Sequence, residues 1–548
     1  MLKKWFNKET TSISAGAVIL AFSSLTSRII GILRDRILAG KFGAGDALDI
    51  YYASFQIPDF FYNIFILGTL SVAFIPIFTS YIKKNNEYTF SEEAMDFTNT
   101  IINATLIGMG TGCLLLMLFT PAFITYVAPG FTGEKRETAI DITRIILISP
   151  FIFSISSILS SILTSFKRFI AFSFSPILYN LGIIFGAYFF APIWGVKGLA
   201  MGVVLGAFLH MLIQIAPVKN IGYVYKKIIN LKLPGVKEFK RLFIPRIFGI
   251  DISQTSLLIG SIIGSTLSTG TITIFNLANN LQSMPIGLFS ISLVSSAFPH
   301  LAEAYSQKDF NQFGEIFYKT ASKILFFIIP SAIFLYVLRI PIIKFILATG
   351  KFTQKDVAIT GAVLGCFYFS LFSQGMTPLI LRCYYSMHDT ITPFIINLIS
   401  IAIDVTASYL FIKLLTPSTE FYLFSQKILN LTNYEDIRVM GLVLGFSLTS
   451  IIHMTMLYFI LHLRVKNLYG KKLLISSLKF LFASIIAGFI LNFLKHYLET
   501  LLPSQNILTL ALILIASGII GILIYTFISW ILKVEEIISI KKWYLLKK

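Results

Sequence analysis

The chain has 548 residues, 56% of them hydrophobic and only 13% charged, with a formal net charge of +19 and a mean hydropathy of +0.80. A soluble protein of this length carries about twice that charged fraction, and apolar runs long enough to cross a bilayer recur from end to end, so a large soluble enzyme or nucleic-acid-binding domain is excluded. The runs are continuous, without period-2 alternation, which favours helices over a barrel.

The N-terminal Met1–Lys8 stretch is basic, but the apolar segment after it is too long and too charged for a cleavable signal and reads as a retained first helix. That segment, beginning near Ser12 and ending near Gly40, contains Ser27-Arg28-Ile29-Ile30-Gly31-Ile32-Leu33-Arg34-Asp35-Arg36. A charge at the centre of a bilayer helix costs roughly 2.5–3.5 kcal/mol on insertion scales, so such residues normally face a wet cavity or a partner. The competing reading is that Arg34, Asp35 and Arg36 lie near a helix end and only reach the headgroups.

About 14 spanning helices are expected, each of roughly 20 residues or more. Pro58, Pro150, Pro245 and Pro285 predict kinks. Lysines and arginines gather in the first segment, after the second, fourth and twelfth spans, at the C-terminal Lys547-Lys548 and above all in the loop after the sixth, with Lys226, Lys227, Lys232, Lys237, Lys240 and Arg241. Alternating helices put all of these on one side, so the positive-inside rule predicts both termini in the cytoplasm and anionic lipid headgroups as the counter-charge. Cys113, Cys366 and Cys383 show no ligand spacing and read as core residues.

The chain repeats itself. Arg28-Ile-Ile-Gly-Ile32 returns 218 residues later as Arg246-Ile-Phe-Gly-Ile250, and Pro176-Ile-Leu-Tyr-Asn180-Leu returns 217 residues later as Pro393-Phe-Ile-Ile-Asn397-Leu. Gly198, Gly202 and His210 correspond to Gly441, Gly445 and His453 at an offset of 243, explained by an insertion between Leu415 and Arg438. Ordered matches at a near-constant offset indicate a repeat. Six helices per copy is an even number, so both copies enter the membrane in the same direction and should be related by an axis along its normal, around a central cavity. The expected organisation is an N-terminal lobe at 1–217, a basic linker at 218–238, a second lobe at 239–464, and two further helices with a basic tail at 465–548.

Arg28, Arg34 and Arg36, with Asp35 and Asp49 nearby, would give the first lobe a cationic wall suited to phosphate or carboxylate. The alternative is an internal Arg–Asp network. Arg246 is the repeat partner of Arg28. Asp251 and Asp404 have no acidic repeat partner, since Leu33 and Ala187 occupy those positions. Asp251, Asp404, Ser400 and Ser447 could assemble an oxygen cage for a small monovalent cation; pairing of Asp251 with Arg246, or protonated carboxyls, remains the competing account. His210 and His453 read as packing or hydrogen-bonding residues. There is no Walker A loop and no nucleophile–base grouping, so no enzyme is expected.

Ser27-Arg28-Ile-Ile-Gly-Ile-Leu-Arg34-Asp35, then Phe42-Gly43-Ala44-Gly45, Asp49-Ile-Tyr-Tyr-Ala53-Ser-Phe55-Gln-Ile-Pro58 and Gly68-Thr-Leu-Ser71-Val-Ala73-Phe74-Ile-Pro76 resemble the opening signature of the lipid II flippase (MurJ, formerly MviN) family. The likeness continues at Pro176…Asn180, Pro245-Arg246 and Asp389-Thr390-Ile-Thr392-Pro393 and covers nearly the whole chain. This family lies within the multidrug/oligosaccharidyl-lipid/polysaccharide exporter superfamily. The resemblance implies two six-helix lobes plus two terminal helices in the bacterial inner membrane. It also implies alternating-access movement of an undecaprenyl-pyrophosphate-linked muropeptide to the outer leaflet by a monomer that needs no cofactor, with sodium as a candidate coupling ion. Under it Arg28, Arg34, Asp35 and Asp49 match the family's cavity charges, and Asp251 and Asp404 its sodium-holding acids. Tyr62, Asn63, Leu67, Asn279 and Asn280 stand where the family often carries charge. A related polyprenyl-linked glycan as cargo, and a multidrug/cation antiporter, are the alternatives.

Overall fold

The computed structural model describes residues 13–66, 70–83, 90–247, 252–417, 419–429, 431, 434, 436–465, 467–502 and 506–538, and every regular element among them is helical. The chain forms two compact units. One takes residues 1–250 with the short stretches 261–272 and 349–351; the other takes the remainder.

The first unit is built from α1 (Ile13–Phe42), α2 (Asp46–Phe65), α3 (Leu70–Lys83), α4 (Glu92–Val127), α5 (Gly133–Ile146), α6 (Ile148–Ser165), α7 (Phe169–Phe185), α8 (Ala191–Trp194), α9 (Val196–Asn220) and α10 (Pro234–Ile247). A π-helical turn, Gly186–Phe190, joins α7 to α8. In lipid the hydrophobic effect does not drive helices together, so close packing must. A Cβ on Gly206 would stand 2.4 Å from the Tyr179 carbonyl oxygen, and one on Gly182 would stand 2.3 Å from the Gly206 Cα. Glycine at both positions is what lets the α7 and α9 backbones touch. An aromatic core forms at the far side of the unit, where Phe74 stacks on Phe78 and Phe97. Val236 and Phe239 of α10 close over it.

The segment between α9 and α10 is irregular but pinned to α4. Asn99 Oδ1 accepts from Tyr223 Oη at 2.7 Å and the Lys226 amide at 3.0 Å, while Asn103 Nδ2 donates to the Lys226 and Ile228 carbonyls at 3.0 and 2.9 Å. Two buried asparagines thus satisfy the backbone groups that an extended strap leaves open.

The second unit contains α12 (Thr271–Pro285, its first two residues in the first unit), a π turn (Ile286–Ser290), α13 (Ile291–Ser306), α14 (Phe310–Ile346), α15 (Gln354–Tyr368), α16 (Leu371–Ser386), α17 (Ile391–Leu414), α18 (Glu420–Leu429), α19 (Val439–Arg464), α20 (Gly470–Leu501) and α21 (Ile507–Ile531). Helix α11 (Ile252–Gly264) is divided between the units. The two last long helices pack on α14: Phe326 meets Phe480 of α20 and Tyr525 of α21, whose hydroxyl donates to the Phe326 carbonyl at 2.9 Å.

Several helices end in one shared way, including those that precede the repeated Pro176 and Pro393 motifs. Lys167 after α6 and His388 after α16 both adopt left-handed backbone, with φ of 56° and 57°. The next amides, Arg168 and Asp389, return to the Leu163 and Tyr384 carbonyls at 2.8 and 3.0 Å, the same C-terminal capping arrangement in both.

Among the described residues, ten helical stretches are long and apolar enough to cross a membrane, or eleven if α15 and α16, bent by 45°, form one span. The count falls short of the 14 expected; α1, with its arginine run, and the shorter α2, α3, α10 and α11 are not among the stretches counted.

Candidate functional site

The charged stretch of α1 sits on the face that meets α7. Ser23, Ser27, Gly31 and Arg34 recur at helical spacing, and each approaches α7: Ser23 Oγ lies 3.2 Å from Ser173 Oγ, Asn180 Nδ2 reaches the Ser27 carbonyl at 3.5 Å, and Gly31 leaves room beside that same amide. Arg34 Nη1 donates to Asn180 Oδ1 at 3.0 Å. Its Nε and Nη2 donate to Asp35 Oδ1 at 3.0 and 2.8 Å. The guanidinium is thereby oriented from two directions while keeping 22% of its side-chain surface accessible. Asp35 is buried.

Tyr51, Tyr52 and Tyr179 lie within electrostatic reach of Arg34, and Asp59 and Tyr62 of α2 within reach of Tyr179. Asp59 is exposed on α2, a carboxylate in an otherwise apolar stretch and within electrostatic reach of Tyr51 and Tyr179. Among the described residues it makes no hydrogen bond or ion pair. Tyr62 accepts or donates at 3.3 Å with Ser157 Oγ. Arg28, about 9 Å below Arg34 at 1.5 Å per residue, is half-buried and makes no hydrogen bond or ion pair among the described residues. Among the described residues, α1 and α2 thus carry one restrained cation, Arg34, one cation without a hydrogen bond or ion pair, Arg28, and one such carboxylate, Asp59.

Asp49 is elsewhere. It is 2% exposed on the first turn of α2, where Oδ2 accepts the Gly270 amide at 2.7 Å and stands 4.0 Å from Lys135 Nζ. Ten residues separate it from Asp59, about 15 Å along the helix. The expected substrate set therefore divides into an interior group around Arg34 and an anchor at the α1–α2 turn. The Arg246 side chain and Asp251 lie outside the described residues.

In the second unit Asp404 of α17 is buried and accepts Ser256 Oγ at 2.7 Å. The Ser400 hydroxyl, one turn away, is buried without a partner, whereas Ser447 donates to the Cys366 carbonyl at 3.0 Å and accepts from Ser370 at 3.0 Å. Of the expected cage of Asp251, Asp404, Ser400 and Ser447, Asp404 and Ser400 stand one turn apart on α17, Ser447 is engaged by the Cys366 carbonyl and Ser370, and Ser256 is a donor to Asp404 outside that set. The donor set of a carboxylate and hydroxyls fits a hard monovalent cation. His210 and His453 are both hydrogen-bonded, His210 Nδ1 to Ser156 Oγ at 2.8 Å and His453 Nε2 to Asn397 Oδ1 at 2.8 Å.

Sequence reasoning missed Asp59 and the role of Asn180. Asp59 carried the same signal as Arg28, a lone charge in an apolar helix. Asn180 was visible as a repeated motif residue with no assigned partner.

The family model described as "Lipid II flippase MurJ" matches residues 38–512. A probable lipid II flippase MurJ of Borreliella burgdorferi is 29% identical over 391 residues, covering 71% of this chain and 76% of that protein. Another, of Buchnera aphidicola subsp. Schizaphis graminum, is 26% identical over 530 residues, covering 94% and 97%. A solved lipid II flippase MurJ in an inward closed conformation superposes with a TM-score of 0.72 at 25% identity, over 94% of this chain and 98% of that one. An inward-facing multidrug resistance transporter of the MATE family, at 16% identity and a TM-score of 0.57, covers 81% of this chain and 96% of its own and shares the fold. With the family model spanning most of its length, this chain belongs to the lipid II flippase MurJ family.

Proposed function

We propose that this protein moves lipid II, the polyprenyl-pyrophosphate-linked muropeptide, from the cytoplasmic to the outer leaflet of a bacterial inner membrane by alternating access, with both termini in the cytoplasm. The observation that carries this reading is the Arg34 group. A guanidinium held by Asp35 and Asn180 inside a membrane helix, with Arg28 unpartnered on the same helix, supplies planar donors suited to a pyrophosphate. Holding Arg34 in place reduces the ordering cost of binding, and the accessible part of its side chain leaves donors for the cargo. The polyprenyl chain stays at the lipid-facing side while the headgroup crosses. Asp59 opposes the field of the arginines and keeps the wall from trapping the anion too tightly for release. Asp404, Ser256 and Ser400 support a cation site in the second unit that would supply coupling, with sodium as the candidate ion.

The deciding experiment is depletion of the protein in its own cell, followed by labelling of lipid II at the outer leaflet. Loss of labelling, restored by the wild-type chain and not by Arg28→Ala or Arg34→Ala at equal membrane abundance, is expected. Undiminished labelling in a cell with no second flippase would reject the reading.

A further inference from the structure

A further candidate site lies wholly within the second unit. Helices α14 and α20 run parallel in fixed register: Tyr318 meets Ser476 near their starts, and Lys495 Nζ reaches the Val337 carbonyl near their ends, both at a separation of 158 residues. Their starts adjoin the lysine-bearing segment at Lys471 and Lys472, so their ends lie at the opposite membrane surface.

At those ends a cavity of about 810 Å³ opens between α14, α15, α18 and α20. Three basic side chains, Arg339, Lys495 and His496, converge on it, and no acid lines it among the described residues. Arg339 lies over the Tyr336 ring at 4.4 Å and spends one donor, Nη1, on the Tyr336 carbonyl at 2.7 Å. Its Nε is buried with no partner. Lys495 makes only a long 3.4 Å hydrogen bond, to the Val337 carbonyl, and the Glu499 carboxylate one turn on lies within its electrostatic reach. Glu499 stands at the rim, 3.5 Å from His496 Nδ1. A buried, unsatisfied guanidinium nitrogen beside a second cation costs free energy unless an anion completes it.

The remaining wall is apolar and leads outward. Ile485, Phe489 and Phe493 recur every four residues on α20 and are 42%, 74% and 76% exposed, a stripe on which a hydrocarbon chain can lie. Ile428 of α18 closes the other side. A free inorganic anion would use the cations but not the stripe.

We propose that this cavity binds the phosphate of a lipid in the bilayer half remote from the lysine-rich loops, with Arg339 and Lys495 on the phosphate and the α20 stripe on its chain. Two sources share that chemistry, an anionic phospholipid and a polyprenyl pyrophosphate. The proposal holds whichever cargo the Arg34 group carries.

Native mass spectrometry of the full-length protein in detergent, titrated separately with phosphatidylglycerol and with undecaprenyl pyrophosphate, tests it. The Arg339→Gln/Lys495→Gln variant is expected to bind about tenfold more weakly, the scale of losing charge-assisted hydrogen bonds, and Arg339→Lys/Lys495→Arg to retain most binding. Weakening for phosphatidylglycerol alone identifies a resident phospholipid; for undecaprenyl pyrophosphate alone, a polyprenyl lipid; for both, a site open to either. Unchanged binding of both overturns the proposal. Should the neutral variant fail to insert, Phe489→Trp in the otherwise wild-type chain reads the same site. Its fluorescence is expected to respond more to phosphatidylglycerol or to undecaprenyl pyrophosphate than to phosphatidylcholine, and an equal response to all three overturns the proposal.

Discussion

Arg34 and Asn180, 146 residues apart in sequence, are joined by a 3.0 Å hydrogen bond that fixes α1 to α7. In the second copy of the repeat the equivalent asparagine, Asn397, lies 2.8 Å from His453 instead. The same amide position thus orients a cation in one copy and a histidine in the other, so the two halves share a scaffold without sharing a site. The Asn180→Ala variant leaves Arg34 with Asp35 alone. Losing one hydrogen bond to a charged group costs about 1.5–3 kcal/mol. Complementation of a depleted strain should weaken with Asn180→Ala and fail with Arg34→Ala, both at normal membrane abundance; full growth of Arg34→Ala would remove it from the transport path.

Part of this candidate group can be picked out from the residues alone. The Arg28–Arg36 run was legible because charge in an apolar helix is expensive wherever it stands. Asp59 was passed over because it lies among Pro58, Phe60 and Phe61, although the same rule applies to it. Asp49 joins the arginines by closeness in sequence and by the family resemblance, and the structure adds a contact that neither shows, to the Gly270 amide. Partners such as Asn180 and Gly270 depend on tertiary packing, which no local pattern encodes. The repeat rests on spacings of glycine, asparagine and histidine, residues that apolar exchange does not blur.

The glycine contact between α7 and α9 gives a stability prediction. Gly206→Ala places a methyl group against the Tyr179 carbonyl, a backbone atom that cannot rotate away. Overpacking of this kind costs typically 1–3 kcal/mol. Thermal unfolding in detergent should show a lowered Tm for Gly206→Ala, whereas Gly518→Ala, where no atom lies within 4 Å, should leave it unchanged.

Asp389 predicts a pH response at the α16–α17 turn. Burial raises its pKa, but hydrogen bonds from Thr392 and the Arg464 guanidinium outweigh that and hold the carboxyl below its ordinary range. A carboxylate depressed in the folded state contributes stability at pH values above its unfolded value, and loses it as the pH falls through the lowered folded value. The pair is partly exposed, with 44% of the Arg464 side chain accessible, so solvent screening limits the contribution to less than about 1 kcal/mol. Asp389→Asn should therefore lower Tm slightly at neutral pH, and the gap from wild type should close on acidification below the carboxylate range. A gap that persists there would assign the effect to the turn's backbone bonds.

Asp49 anchors a turn rather than lining the Arg34 group, which separates two kinds of loss. Its Oδ2 accepts the Gly270 amide at 2.7 Å, so Asp49→Ala leaves that buried donor unsatisfied at a cost of about 1–3 kcal/mol. Asp49→Asn retains an acceptor oxygen. Thermal unfolding should rank wild type above Asp49→Asn and Asp49→Ala lowest. A ranking in which both substitutions cost the same would make charge, not the hydrogen bond, the relevant property.

Asp404 allows coupling to be tested without a transport assay. It is 2% exposed, with Ser256 donating to it and the unpartnered Ser400 hydroxyl one turn away. An ion that binds only the folded protein stabilises it by about 1.4 kcal/mol at ten times its Kd. Wild-type protein in detergent should therefore unfold at a higher temperature in sodium chloride than in choline chloride at equal ionic strength. Asp404→Asn removes the charge that would hold the ion while preserving shape, and should show no difference between the two salts. Ser447→Ala provides the internal contrast. Its hydroxyl is already committed to Cys366 and Ser370, so its loss should lower Tm equally in both salts and leave the sodium increment intact. Equal unfolding temperatures for the wild type in the two salts would leave Asp404 as a buried structural carboxyl and move coupling away from the second unit.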